Sequence, residues 1–432
     1  MFAIITLIIE LLLLALITSL GTMDVGNTLA SVFILLFSVT LIPSVQGSKN
    51  MGKYSTQILL GYILRLTILF FDIFGQSIYV LPQADSDARM FYRTSRELVL
   101  YGRTDGRGYF ISLMYTVLRY IGVNRLYGQF LLMLLSILAL IIYLKTIDGL
   151  CWNQMAKDKS AWIMCLLPNF ALLSSMFLRE SLVMLLITIS GCCMVKWMKN
   201  AGRFPLIMAF FTSIIACLFH SGSIGITIGC IFCMLIFDRH NQRIHVTPGS
   251  FVISVFFAGA TTFLFLQYGK TLMAKFLKID SLEDIANVSS LGGSNYSRYV
   301  GNSSNPLNMI IYTIPRIVYF LFSPFPWQWR GLSDIIAFFF SGLFYLITII
   351  NSITYLRRCD QHHRSIVIGL ISIVFFCTFI FSWGTSNTGT ATRHRDKMVL
   401  LYGLLYCLTL HSNKTNPSEN KGGSIKNKYI KV

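Results

Sequence analysis

Charge is what this sequence has least of. Only 12% of its 432 residues are charged, against 54% hydrophobic, whereas an ordinary soluble domain is about one-quarter charged. With a mean hydropathy of +0.64, the composition excludes a soluble globular protein, because so few charged groups cannot cover an aqueous surface. Acid is the scarcer sign, 18 Asp and Glu against 36 Lys and Arg. Low-complexity linkers, a soluble domain and internal repeats are missing too, which leaves one membrane domain rather than a string of modules. The ten cysteines sit mostly within apolar runs, as at Cys192 and Cys193, and read as packing residues. The expected class is all-α, a polytopic integral membrane helical bundle.

What is present is a series of apolar runs, each long enough to cross a bilayer at roughly 17–25 residues. They cover 2–20, 28–46, 57–81, 126–147, 161–177, 180–196, 204–219, 222–237, 250–267, 333–355, 365–384 and 397–411, twelve in all. The first lacks the basic n-region of a signal peptide and reads as retained. Two apolar stretches do not fit as spans. Segment 109–121 is too short, and 306–325 carries Pro306, Pro315, Arg316 and Pro324. Both are expected as interfacial or re-entrant helices.

An N-terminus inside puts the short loops 47–56, 148–160, 197–203, 238–249 and 356–364 in the cytoplasm, where their Lys and Arg satisfy the positive-inside rule. The Lys-rich tail 412–432 falls on the same side as a disordered terminus. Residues 1–411 form the membrane domain, with outer loops 82–125 and 268–332. Lys270 to Asn305 reads as an amphipathic helix followed by a mobile Ser/Asn/Gly-rich loop.

Unusual polar residues gather on the expected outer side. The first outer loop carries Asp85-Ser86-Asp87 and an Arg-rich continuation that includes Arg89. An Asp-x-Asp pair at a membrane surface can bind a cation, take a hydroxyl proton or hold sugar hydroxyls, or it can simply cap the helix that follows. Arg179-Glu180 stands where two runs meet almost without a loop, either lining a site or neutralising a hairpin corner. His220, in the turn Phe219-His220-Ser221-Gly222, is a proton acceptor or a helix cap. Trp327, in Ser323-Pro324-Phe325-Pro326-Trp327, suits an interfacial anchor or a substrate contact. Arg393 and Arg395 lie in a flexible Gly/Thr loop, as a clamp for phosphate oxygens or as anchors of the last span. Arg65 and Asp72 make an intramembrane pair on one helical face.

In this order, the Asp-bearing outer loop, Leu178-Arg179-Glu180, Phe219 to Gly222, Ser323 to Trp327 and Gly389 to Arg395 resemble bacterial polysaccharide repeat-unit polymerases. These are the Wzy type of O-antigen, capsule and exopolysaccharide synthesis, including the EpsG-like branch. The resemblance implies a glycosyltransferase of the bacterial inner membrane that moves a growing glycan from undecaprenyl diphosphate to a lipid-linked repeat unit. It implies membrane lipids, a flippase and a chain-length regulator as partners, with no nucleic acid and no cofactor; no metal ligands are assigned, and the metal requirement stays open. On that reading Arg179, Arg393, Arg395 and first-loop arginines such as Arg89 hold the diphosphate, and Asp85 or Asp87 is the base, with Glu180 and His220 as alternatives. Two other activities fit the same residues: a GT-C-type transferase using a polyprenyl-phosphate sugar, and a lipid-oligosaccharide flippase.

Overall fold

The computed structural model describes residues 24–48, 51–84, 86–102, 108–150, 153–245, 295–300 and 306–410, with a few isolated positions besides. The expected spans 2–20 (in the main) and 250–267, the helix and loop from Lys270 as far as residue 294, residues 301–305, the tail 412–432 and Asp85 lie outside the described residues.

Among the described residues the chain is a helical bundle. It runs through α1 (Val25–Gln46), α2 (Ser55–Phe74), α3 (Ser86–Tyr101), α4 (Tyr109–Ile121), α5 (Arg125–Leu150), α6 (Gln154–Leu166) and α7 (Pro168–Ser174). Then come α8 (Glu180–Met198), α9 (Phe204–Phe219), α10 (Ile224–Ile236) and a two-residue antiparallel ribbon, β1 (Phe237–Asp238) with β2 (Arg243–Ile244). The last part holds α11 (Pro306–Phe322), α12 (Leu332–Arg358, with a π turn at Ala337–Gly342), α13 (Gln361–Trp383), α14 (Thr388–Asp396) and α15 (Val399–Thr409).

Six helices are long and apolar enough to cross a membrane: Val25–Gln46, Gly52–Phe74, Arg125–Leu150, Glu180–Met198, Leu332–Arg358 and Gln361–Trp383. Five shorter apolar helices accompany them, so twelve full spans are not found among the described residues. Local chemistry explains two of the shortfalls. The expected span 161–177 is cut at Leu167, which is extended (φ −56, ψ 117) because Pro168 disfavours the helical region for the residue before it. The expected span 397–411 is the 11-residue α15, about 16 Å long at 1.5 Å per residue against a ~30 Å hydrocarbon core. α15 is instead the central post of the bundle. Ten of its 11 residues are buried, with α5, α6, α8, α12 and α13 packed around it.

Close helix contact is concentrated where side chains are missing. A Cβ on Gly225 would stand 2.7 Å from the Phe376 carbonyl oxygen, and one on Gly229 2.7 Å from the Ile373 Cα, so this small-xxx-small pair lets α10 lie directly on α13. Cys230 and Cys233, on the same helix, have CxxC spacing, and both are buried free thiols.

The polar residues form two layers, one at each end of α5. At its Leu150 end, Lys53 and Lys157 both pair with Asp148, Lys199 donates to the Leu150 carbonyl at 2.9 Å and Arg239 to Asn200 at 3.0 Å. The Ile244 amide donates to Ser365 at 3.0 Å. The five basic loops are thereby stitched together at one end. At the Arg125 end, Asp72 accepts from Arg125 at 2.7 Å and from Gln129 at 2.9 Å. Arg65 is not paired with Asp72. It donates to Ser174 and to the Gly61 and Cys165 carbonyls, below the Phe170 ring.

Candidate functional site

The Arg125 end is where the candidate residues meet. α7 stops at Ser174, and Gln129 ties down the next residue by donating to the Ser175 carbonyl at 2.6 Å. Five residues later Glu180 opens α8, where the positive end of the helix dipole favours a carboxylate. Above this turn sits the α3–α4 hairpin. It is amphipathic, and Phe91 packs edge-to-face on Phe110, which packs edge-to-face on Phe177. The hairpin delivers Asp87, in the first turn of α3, to the same point.

The third element is α14. The sequence reads as a flexible Gly/Thr loop, but residues 388–396 are helical, started by Asn387, whose side chain accepts from the Gly389 amide at 2.8 Å. The helix changes the meaning of the Arg393-x-Arg395 spacing. Two residues turn the chain by roughly 200°, so the arginines face opposite ways and do not form one clamp.

Arg393 faces the turn. Its guanidinium donates to Asp87 with one nitrogen and to Glu180 Oε1 at 2.7 Å with the other. Lys397 Nζ lies 3.5 Å from the same Glu180 oxygen and is fully buried, with the Phe381 ring centroid 5.7 Å away. Arg179 donates to the Phe219 carbonyl at 3.3 Å and covers the Phe91 ring at 5.8 Å. Three cations thus surround two carboxylates. Of the ion-paired groups, the Asp87 side chain is 43% exposed against 12% for Arg393 and 5% for Glu180, so Asp87 is the open side of the cluster. Beneath it, Ser174, Glu180, Ser181, Asp396 and Lys397 help to line a cavity of about 10 Å³, close to the volume that one water requires.

Arg395 faces the other way and is completely buried. It donates to the carbonyls of Leu321 at 2.9 Å and of Ser323, closing the C-terminal end of α11. Its guanidinium stands 5.8 Å from the Tyr345 ring centroid. Asp396 next to it lies 3.5 Å from the Tyr345 hydroxyl, and burial pushes its carboxyl up to about 7 against the pull of Arg395.

His220 belongs to a directional chain. The Gly222 amide donates to His220 Nδ1 at 3.2 Å, so in the neutral ring Nε2 carries the proton. Nε2 meets His394 Nε2 at 3.2 Å, His394 Nδ1 meets Thr385 Oγ1 at 2.9 Å, and that hydroxyl donates to the Phe381 carbonyl at 2.8 Å. One tautomer of each ring satisfies every contact: His220 donates to His394, which donates to Thr385. Burial first, then Lys397, holds both imidazoles well below their ordinary range, so the chain is neutral.

The structure therefore gathers Asp87, Arg179, Glu180, His220 and Arg393 and sends Arg395 elsewhere. Arg89 donates to Gln76 Oε1 at 3.0 Å. Trp327 is 65% exposed and stacks on Phe325 with ring centroids 4.8 Å apart. His394 and Lys397 complete the cluster, and both stood unselected beside Arg393 in the run Arg393-His394-Arg395-Asp396-Lys397. Among the described residues no group of three or more His, Cys, Asp or Glu is placed to hold a metal ion.

Comparison with protein families, curated proteins and solved structures finds no match to this chain.

Proposed function

We propose that this chain is a membrane-embedded glycosyltransferase that polymerises lipid-linked glycan repeat units. The growing glycan is transferred from undecaprenyl diphosphate to an incoming lipid-linked unit. The observation that carries the reading is Arg393 bridging Asp87 and Glu180 at the end of a helical bundle, with Lys397 and Arg179 beside it. Glycosyl transfer from a lipid diphosphate needs cations to hold the departing diphosphate and a carboxylate to take the acceptor proton, both at the depth where a polyprenyl headgroup sits. Arg393 and Arg179 are the diphosphate-binding groups. Asp87, the exposed carboxylate, is the base. Glu180 orients Arg393, and the neutral His220–His394 chain supports α14 beneath it.

The end with five stitched basic loops is cytoplasmic by the positive-inside rule, which puts the ion cluster at the outer face of a bacterial inner membrane. The sequence resemblance to Wzy-type polymerases supports the same assignment, and both termini then lie in the cytoplasm.

A GT-C-type transferase is the second reading, favoured by one feature: the acidic residue is carried by an amphipathic helical hairpin, α3–α4, that follows an early apolar helix. The test is complementation of a polymerase-null strain. Arg393→Ala and Asp87→Ala should abolish the polysaccharide ladder at normal protein levels, and the null strain should accumulate single units on the outer leaflet. Full ladders from both variants would sink the polymerase reading. Addition of one sugar without a ladder would favour the GT-C transferase, and units retained on the inner leaflet would favour a flippase.

A further inference from the structure

Both terminal nitrogens of Arg393 are held by protein carboxylates and its Nε is buried, so a phosphate cannot reach the guanidinium unless one of the carboxylates leaves. Only one can. Glu180 is the first residue of a long buried helix and has Lys397 as a second cation at 3.5 Å. Asp87 sits at the start of the amphipathic α3, with its side chain 43% exposed and paired with Arg393. Charge counting leads to the same residue. Withdrawal of Asp87 leaves Glu180 as the single carboxylate facing Arg393 and Arg179, so the site gains one net positive charge for an anion to neutralise.

We propose that Asp87 is a stand-in for the substrate anion: a diphosphate displaces its carboxylate from Arg393, and the displaced carboxylate becomes free to act as base. This rests on the reading of Arg393 as the diphosphate site and adds a coupling to it. The base is held inactive in an ion pair until the leaving group is bound, which keeps it from activating water in an empty site. The α3–α4 hairpin moves with Asp87, since the carboxylate is in its first turn.

The prediction runs against ordinary expectation, because removing a charged group from the site should tighten ligand binding. The full-length chain in phosphatidylcholine nanodiscs is titrated with inorganic pyrophosphate by calorimetry. Asp87→Asn should bind about two- to fivefold more tightly than wild type, the gain expected when a partly exposed competing ion pair is removed. Asp87→Glu should keep the wild-type affinity, and Arg393→Gln should lose binding. Equal or weaker binding by Asp87→Asn overturns the proposal.

A second measurement leaves Asp87 in place. A fluorophore on Met90→Cys, an exposed α3 position, should change emission over the same pyrophosphate range, and binding without that change also overturns it. Repeating the titrations in phosphatidylglycerol nanodiscs identifies the anion. An unchanged gain supports a diphosphate ligand, whereas loss of the gain means that bulk lipid phosphates already fill the site and refutes that assignment. None of these readings depends on glycan synthesis, so exchange at Arg393 and polymerase activity stand or fall separately.

Discussion

Replacing Arg395 by Met should unfold this protein more readily than the same change at Arg393, although the two arginines are only two residues apart. Arg395 is fully buried and closes the end of α11 through the carbonyls of Leu321 and Ser323. A hydrogen bond to a charged group is worth about 1.5–3 kcal/mol, and a buried acceptor left unpaired costs about 1–3 kcal/mol. Two carbonyls and the stranded Asp396 are affected. Part of the loss is offset because the native guanidinium already keeps Nε and Nη2 buried without hydrogen-bond partners. Removing one member of a buried charged set costs about 3–5 kcal/mol, and the offset places the expected net near 3 kcal/mol. Arg393→Met removes a group with a more exposed partner and leaves Glu180 with Lys397, so about 1 kcal/mol is expected there. The assay is unfolding of the purified proteins in mixed detergent–SDS micelles, followed by tryptophan fluorescence. A wild-type midpoint for Arg395→Met, with pyrophosphate binding lost, would refute the structural role and restore Arg395 as a ligand.

Gly229→Val should destabilise by about 1–3 kcal/mol, the cost of overpacking, because its Cβ meets Ile373 backbone atoms at 2.7 and 3.0 Å; an unchanged SDS midpoint would mean that α10 and α13 are not in backbone contact. Glu180→Gln should be strongly destabilising, with Lys397→Met partly rescuing it in the double variant, since each buried charge then loses its counterpart; additive effects would deny the pairing. Stability should fall as pH drops below about 6.5, the ordinary imidazole value. His220 and His394 have folded-state values below that, so the unfolded chain takes up protons first; their contribution is intact above this pH and declines as pH falls. His220→Gln/His394→Gln should flatten the acid limb, and an unaltered limb would assign the loss to other groups.

The helical class, the apolar helices and the grouping of the five basic loops at one end were legible in the sequence. Each follows from local composition, and lattice-like repetition of Leu, Ile and Phe leaves a chain few alternatives in lipid. What escaped sequence reading depended on tertiary contacts. Thr388 to Asp396 contains Gly389 and three threonines, poor helix formers, and is helical because Asn387 caps it while Arg393 and Arg395 are held on opposite sides. Once that segment is taken as a loop, the arginines appear equivalent. The Arg65–Asp72 pairing failed similarly: spacing put both on one face of α2, but each finds partners nearer its own depth, Cys165 and Ser174 for one, Arg125 and Gln129 for the other.

The geometry of α14 also decides which partner moves when an anion arrives. α14 is capped at Asn387, locked to α11 through Arg395 and joined to the α9–α10 turn through His394 and His220. Any withdrawal of Arg393 by movement of the helix would break the Arg395 and His394 contacts together. Asp87 is held by less. It sits in the first turn of a helix that rests on an aromatic cluster, and aromatic surfaces can slide where directional hydrogen bonds break. Arg393 is therefore the fixed point of the site and Asp87 the exchangeable one. Stiffening the hairpin against the bundle, for example by a disulfide across the α4–α9 boundary, should slow diphosphate exchange without weakening the ion cluster, whereas undiminished exchange in the crosslinked protein would show that α14 yields instead.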